Sequence, residues 1–102
     1  MLAVPAAASG APSCTLTANG NYADITVNEL GSVPKHSGYR VFVFDSAGNN
    51  EARSPTTPTY QDIFGPFAAG GPYRGEVWEF TDFGAHTQEF WTFTRWKLLA
   101  TC

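Results

Sequence analysis

Two cysteines stand close to opposite ends of this 102-residue sequence, at Cys14 and Cys102. An even cysteine count in a small exported protein reads as a disulfide. Any fold compatible with that bridge must bring the first and last elements of the domain together. Closing so long a loop contributes about 4–5 kcal/mol in the chain-entropy model. That is comparable with the whole net stability of a small domain. Zinc ligation explains the pair less well, because it needs three or four ligands. The only histidines, His36 and His86, lie far apart in the sequence.

Residues 1–12 read differently from the rest. Met1 to Ala8 is MLAVPAAA, followed by Ser9 and Gly10. This has the character of the end of a signal-peptide apolar region with a small-residue cleavage site, placed after Ala8. Residues 1–12 are therefore expected to be a signal-peptide remnant or flexible leader. Residues 13–102 are expected to form a single domain, in a protein that is secreted or held at the cell surface. No other stretch approaches the ~20 apolar residues of a membrane-crossing helix, so no membrane span is expected.

Short runs rich in β-branched and aromatic residues alternate with turn signals from residue 13 onwards. Cys14 to Thr17 alternates, Asn19-Gly20 marks a turn, and Ala23 to Asn28 alternates again. Asn-Gly is a strong hairpin signal because both residues tolerate positive φ. Gly38 to Asp45, GYRVFVFD, is a strand with two apolar faces. Tyr39, Val41 and Val43 share one face and Phe42 and Phe44 the other. Such a strand is either covered on both sides or offers an aromatic face to a partner. Ser46 to Asn50 is a turn, and residues 51–59, with two prolines, read as an edge strand or loop. Tyr60 to Phe67 is a short apolar segment, and Tyr73 to Phe80, YRGEVWEF, is a strand. Thr87 to Leu99 runs on to Cys102 as a last strand, since its apolar residues make no clean helical stripe. Simple alternation there places Trp96, Leu98, Ala100 and Cys102 on one face. The pattern predicts an all-β fold, an antiparallel sandwich or barrel of six or seven strands.

From Pro12 to Cys102 the chain resembles the immunoglobulin-like superfamily, closest to fibronectin type III-like domains. The resemblance rests on strand order, on GYRVFVFDSAGN (38–49) and on FAAGGPYRGEVWEF (67–80), which looks like the turn-then-tyrosine entry into a late strand. It implies an antiparallel immunoglobulin-like β-sandwich of about seven strands. The early strand lacks the tryptophan usual in type III domains, and the cysteines are not at the inter-sheet positions of antibody domains. A fold of this kind hosts many functions and names none.

Composition narrows the function. Only 15% of residues are charged, against about 25% in an average soluble domain. The net charge is -3 and the six basic residues are scattered. Nothing resembles the basic stripe that neutralises phosphates, so no nucleic-acid partner is expected. There is no G-x-S-x-G elbow and no free thiol to serve as a nucleophile. Glu76, Glu79, Asp82 and Glu89 stand among aromatics, as glycosidase carboxylates do. Glu76 and Glu79, however, have opposite strand parity and point to opposite faces. Asp45 to Glu51 has oxygen ligands for calcium but lacks the alternating acids of an EF-hand, and a hairpin turn accounts for it. Pro55-Thr56-Thr57 resembles three residues of the binding loop of chagasin-like protease inhibitors, with Pro58 and Thr59 where a glycine and an aromatic should follow.

The aromatics are more telling. Three Trp, four Tyr and eight Phe exceed what so small a core needs, and exposed apolar patches mark interaction sites. The chain is therefore expected to be a binding module rather than an enzyme, with no metal and no cofactor. It would recognise a protein or a carbohydrate through an aromatic strand face. The candidate ligand-binding residues are Trp78 and Trp91, with Tyr73, Phe93 and Tyr39 beside them. The alternative is a self-assembling structural or surface-fibre subunit using the same patch. A small enzyme inhibitor or hydrolase comes third.

Overall fold

The computed structural model describes residues 11–32, 37–56, 58–82 and 94–102. Seven strands occur in that part of the chain: β1 (Ser13–Asn19), β2 (Tyr22–Asn28), β3 (Ser37–Phe44), β4 (Asn50–Arg53), β5 (Tyr60–Phe64), β6 (Arg74–Asp82) and β7 (Thr94–Thr101). No helix is present among the described residues. The strands form two antiparallel sheets, one of order β1-β2-β5 and one of order β4-β3-β6-β7.

The first hairpin follows from its turn. Asn19 faces Tyr22 across the pair, which leaves Gly20-Asn21 as a two-residue loop. Gly20 takes φ +61°, as the first loop position of a II′ turn requires and glycine readily allows. Asn21 then ties the hairpin to the chain beyond β5. Its side-chain amide donates to Phe67 O at 2.8 Å, and Phe67 N–H donates to Asn21 O at 2.8 Å.

Alternation builds the core. Ala23, Ile25 and Val27 of β2, Phe64 of β5, Val41 and Val43 of β3, and Val77 of β6 are fully buried, joined by Leu30 and Phe67. One cluster thus draws on both sheets. In β2 and β3 every second residue enters it, Ala23, Ile25 and Val27 from one and Val41 and Val43 from the other, as the two-residue period demands.

The two sheets are linked along both sides. On one side Cys14 of β1 bonds to Cys102 just beyond β7, with Cα atoms 5.7 Å apart. Gly75 makes room for it: a Cβ there would lie 2.8 Å from Cys102 Sγ and 2.8 Å from Ile25 Cδ1. On the other side Arg53 of β4 reaches across to β5. Its Nη1 donates to Asp62 Oδ2 at 2.8 Å and to Ile63 O at 3.0 Å, and its guanidinium lies 4.3 Å over the Phe64 ring. Tyr60 also donates to Asp62, while Glu51 accepts from Arg53 Nη2 and from Gly65 N–H.

The last strand differs from simple alternation. Trp78 pairs with Leu98 but Val77 pairs with Ala100, so Leu99 is an extra residue on β7. Such a β-bulge shifts the facing pattern by one. Trp96 and Leu98 therefore face outwards, whereas Ala100 and Cys102 pack against the core. The single shared face expected for these four residues is corrected by that one inserted residue. The described part of β7 runs from Thr94 to Thr101, and the expected earlier residues, 87–93, lie outside the described residues.

Candidate functional site

The outward faces of the two sheets differ in kind. On the three-stranded sheet the outward residues include Thr15, Thr17, Asp24, Thr26 and Gln61, with Gln61 Nε2 donating to Asp24 at 2.6 Å. Tyr22 and Ile63 are its exposed apolar exceptions. This is the polar solvent face ordinary for antiparallel sheets. The four-stranded sheet turns Phe42 and Phe44 of β3, Trp78 and Phe80 of β6, and Trp96 and Leu98 of β7 outwards.

Register sets the geometry of this face. Phe42 stands opposite Glu76, Phe44 opposite Arg74, and Arg40 opposite Trp78. Phe80 stands opposite Trp96, and Trp78 opposite Leu98. Phe42 and Phe44 lie nearly parallel, with centroids 6.1 Å apart. Trp78 and Trp96 meet edge to face at 6.4 Å and 81°, and Phe80 leans on Trp96 at 5.3 Å. Phe80 also lies across Gly38, where a Cβ would come within 2.8 Å of the ring. Phe42, Phe44, Glu76, Trp78 and Trp96 line an open, shallow hollow of about 280 Å³.

Trp78 and Glu76 of the hollow are bonded within the protein. Trp78 Nε1–H donates to Glu76 Oε1 at 2.9 Å, and Arg74 Nε–H donates to Glu76 Oε2 at 3.0 Å. The Arg74 guanidinium lies 4.3 Å over the Phe44 ring, as in a cation–π contact. Arg40 Nε is buried without a hydrogen-bond partner among the described residues. Glu76 and Glu79 point to opposite faces of β6, Glu79 pairing with Lys97 on the inward side. They do not converge as a carboxylate pair.

Of the residues expected to bind, the structure places Trp78 at the centre of this face. Tyr39 lies on the opposite side of β3, where its hydroxyl donates to Gly31 O at 2.9 Å. Burial, with Glu79 nearby, raises its pKa. Tyr73 packs on Phe67 at 5.5 Å, and its hydroxyl donates to Gly20 O. It pins the loop before β6 to the first hairpin turn. Trp91 and Phe93 lie outside the described residues. Sequence reasoning passed over Trp96, Phe42, Phe44 and Phe80 as site residues. The alternation of GYRVFVF already put both phenylalanines on one face. Trp96 needed the register of β7 against β6.

Asp45 is buried and anchors the β3–β4 turn. Its carboxylate accepts from Ala47 N–H, Asn49 N–H, the Asn49 side-chain amide and Ala69 N–H, all within 3.0 Å. Burial alone would raise its pKa, but these donors hold it below the usual carboxylate range. Asp45 to Asn49 is thus a turn held by N–H donors.

Comparison with protein-family models, with curated proteins and with solved structures gave no match.

Proposed function

We propose that this is a secreted or surface-held binding module that recognises a protein partner through the outward face of the four-stranded sheet. The observation that carries the reading is the set of six large apolar side chains on that face, beside a polar face on the other sheet. Monomeric domains rarely expose such a contiguous patch unless it is used. A carbohydrate fits less well. Sugars need placed donors and acceptors, and the Trp78 indole N–H and both Glu76 oxygens already bond within the protein. Apolar and aromatic side chains of a protein suit a hollow lined by Phe42, Phe44, Trp78 and Trp96 with Glu76 as its one charged group. The disulfide supports an oxidising, extracytoplasmic location. The reading assigns no catalytic step.

We take the two sheets as an immunoglobulin-like sandwich. The order β1-β2-β5 with β4-β3-β6-β7 differs from the constant-type arrangement only in the fourth strand, which joins the other sheet. Tyr73, just before β6, holds its hydroxyl to backbone much as the corner tyrosine of such domains does.

A protein array and a glycan array test the reading together. A protein ligand lost with Trp78→Ala and with Phe42→Ala is the expected result. Glycan ligands alone, or protein ligands indifferent to both changes, would overturn it. A second reading, face-to-face self-assembly, draws on the 46% exposure of Trp96 and 43% of Leu98. Sedimentation equilibrium separates the two, since a monomer at high concentration excludes it.

A further inference from the structure

The three-stranded sheet carries two large apolar side chains on an otherwise polar outer face. Tyr22 is 43% exposed and Ile63 is 53% exposed. Left in water, they contribute little to stability through burial.

Register brings them to one place. Asn19 of β1 stands opposite Tyr22 of β2, Thr17 opposite Asp24, and Asp24 opposite Ile63 of β5. Directly paired residues share a face, as do residues two apart along a strand. Ala23 and Ile25, at the intervening positions of β2, are buried in the core. Thr17, Asn19, Tyr22, Asp24 and Ile63 therefore all point outwards, and they line an open hollow of about 380 Å³. Small-ligand sites usually span roughly 300–1,000 Å³.

Two of these side chains are held in place. Tyr22 follows Asn21, which is tied to Phe67 by two hydrogen bonds. Its ring lies close to Gly65, where a Cβ would be 3.1 Å from Tyr22 Cδ2. Asp24 accepts from Gln61 Nε2 at 2.6 Å through Oδ1. Its Oδ2 has no hydrogen-bond partner among the described residues, and neither do the side chains of Thr17 and Asn19. The hollow on the four-stranded sheet differs, since its indole N–H and both Glu76 oxygens bond within the protein.

The chemistry selects the ligand. A sugar ring offers C–H faces that stack on an aromatic ring and hydroxyls that both donate and accept. The Asn19 amide and the Thr17 hydroxyl can each do both, and Asp24 accepts. A cationic side chain offers donors only, so it would use Asp24 and leave the Asn19 amide protons unmet. An acidic sugar would set its carboxylate beside that of Asp24 and be repelled. We propose that this hollow binds a neutral sugar residue, stacked on Tyr22 against Ile63 and hydrogen-bonded to Asp24, Asn19 and Thr17. The site lies on the opposite sheet from the aromatic face and stands independently of the protein-binding reading of that face.

The methyl glycosides of glucose, galactose, mannose and N-acetylglucosamine are the probes, each titrated to high millimolar concentration into the ¹⁵N-labelled full chain. At least one is expected to give saturable shifts at the amides of residues 17–24 and 61–63. Tyr22→Ala should abolish them while far-ultraviolet circular dichroism keeps its β character. Asp24→Asn should weaken binding about tenfold, the loss of one charge-assisted hydrogen bond, and serves as the second variant should Tyr22→Ala fail to fold. Trp78→Ala should bind the sugar as the native chain does. No saturable shift with any of the four would overturn the proposal, as would shifts centred on residues 42–44 and 76–78 or binding unchanged by Asp24→Asn. Methyl glucuronide binding more tightly than every neutral glycoside would also overturn it. Saturation by N-acetyl-lysine methylamide and by none of the sugars would overturn it in favour of a cationic side chain. The aromatic-face reading fails separately. A protein ligand lost with Trp78→Ala but kept with Tyr22→Ala supports that face whatever the sugars do.

Discussion

Gly75 occupies a place where a methyl group has no room. An added Cβ would meet Cys102 Sγ and Ile25 Cδ1, each at 2.8 Å. Gly75→Ala is expected to destabilise the fold by about 1–3 kcal/mol, the usual range for overpacking a core, as read from urea unfolding. Gly65 is more constrained still. Its φ of +122° lies where side chains are disfavoured, and a Cβ would come within 2.6 Å of Asn21 O. Neither requirement was legible in the residues themselves. A glycine inside GEVWEF reads as a weak point in a strand until the disulfide is placed over it. The paired phenylalanines were legible, because strand parity is local and needs no partner.

Elements carry the next level of specificity. The link between β4 and β5 depends on Asp62 being charged. Burial alone would raise its pKa, yet hydrogen bonds from Arg53 and Tyr60 bring it below the ordinary carboxylate value. A carboxyl lowered in the folded state stabilises the fold above its unfolded pKa, and that contribution disappears as pH falls through the folded value. Acid unfolding of Asp62→Asn should therefore show a shallower pH dependence than the native chain on the acidic side. Tyr60 acts at the other end of the scale. Burial and its hydrogen bond to Asp62 push its pKa up to about 12. Its neutral form is favoured when folded, so its contribution is complete below the unfolded tyrosine value and is lost as pH rises towards about 12. Tyr60→Phe should flatten that alkaline decline, measured by thermal melts between neutral and strongly alkaline pH. The bulge in β7 gives a second test. Removing Leu99 makes Ala100 follow Leu98 directly, so plain alternation keeps Leu98 outward and Ala100 and Cys102 on the core side in the same register against β6. Mass spectrometry of that deletion is expected to find Cys14 and Cys102 still bonded to each other, and two free thiols would show that the bulge is needed to seat the bridge. The position of an inserted residue follows from pairing with β6, so alternation read along β7 alone misplaced two of its residues.

At the scale of the whole molecule, the two sheets are tied by a disulfide on one side and by the Arg53 network on the other. The bridge closes a sequence separation of 88 residues. Replacing both cysteines by serine should cost about 4–5 kcal/mol in the chain-entropy picture, measured by denaturant midpoint against the oxidised native chain. A loss of that size removes much of the stability of a small domain. The aromatic sheet face is then supported by a core it does not itself form. Trp78→Ala and Phe42→Ala are therefore expected to lose partner binding while far-ultraviolet circular dichroism keeps its β character.

The sequence by itself determined the all-β character, the short strands, the first hairpin and the pairing of Cys14 with Cys102. These follow from two-residue alternation, turn chemistry and cysteine count, all of which act over neighbouring residues or by elimination. Only the tertiary structure decided which aromatics meet. Trp78 and Trp96 are far apart in the chain and touch because β6 and β7 pair in one register, displaced by one bulge. Tyr39 and Tyr73 bear the same kind of side chain but face inward or brace a loop, because their hydroxyls found backbone carbonyls. Side-chain type states what a residue can do, and pairing between distant strands states where it does it.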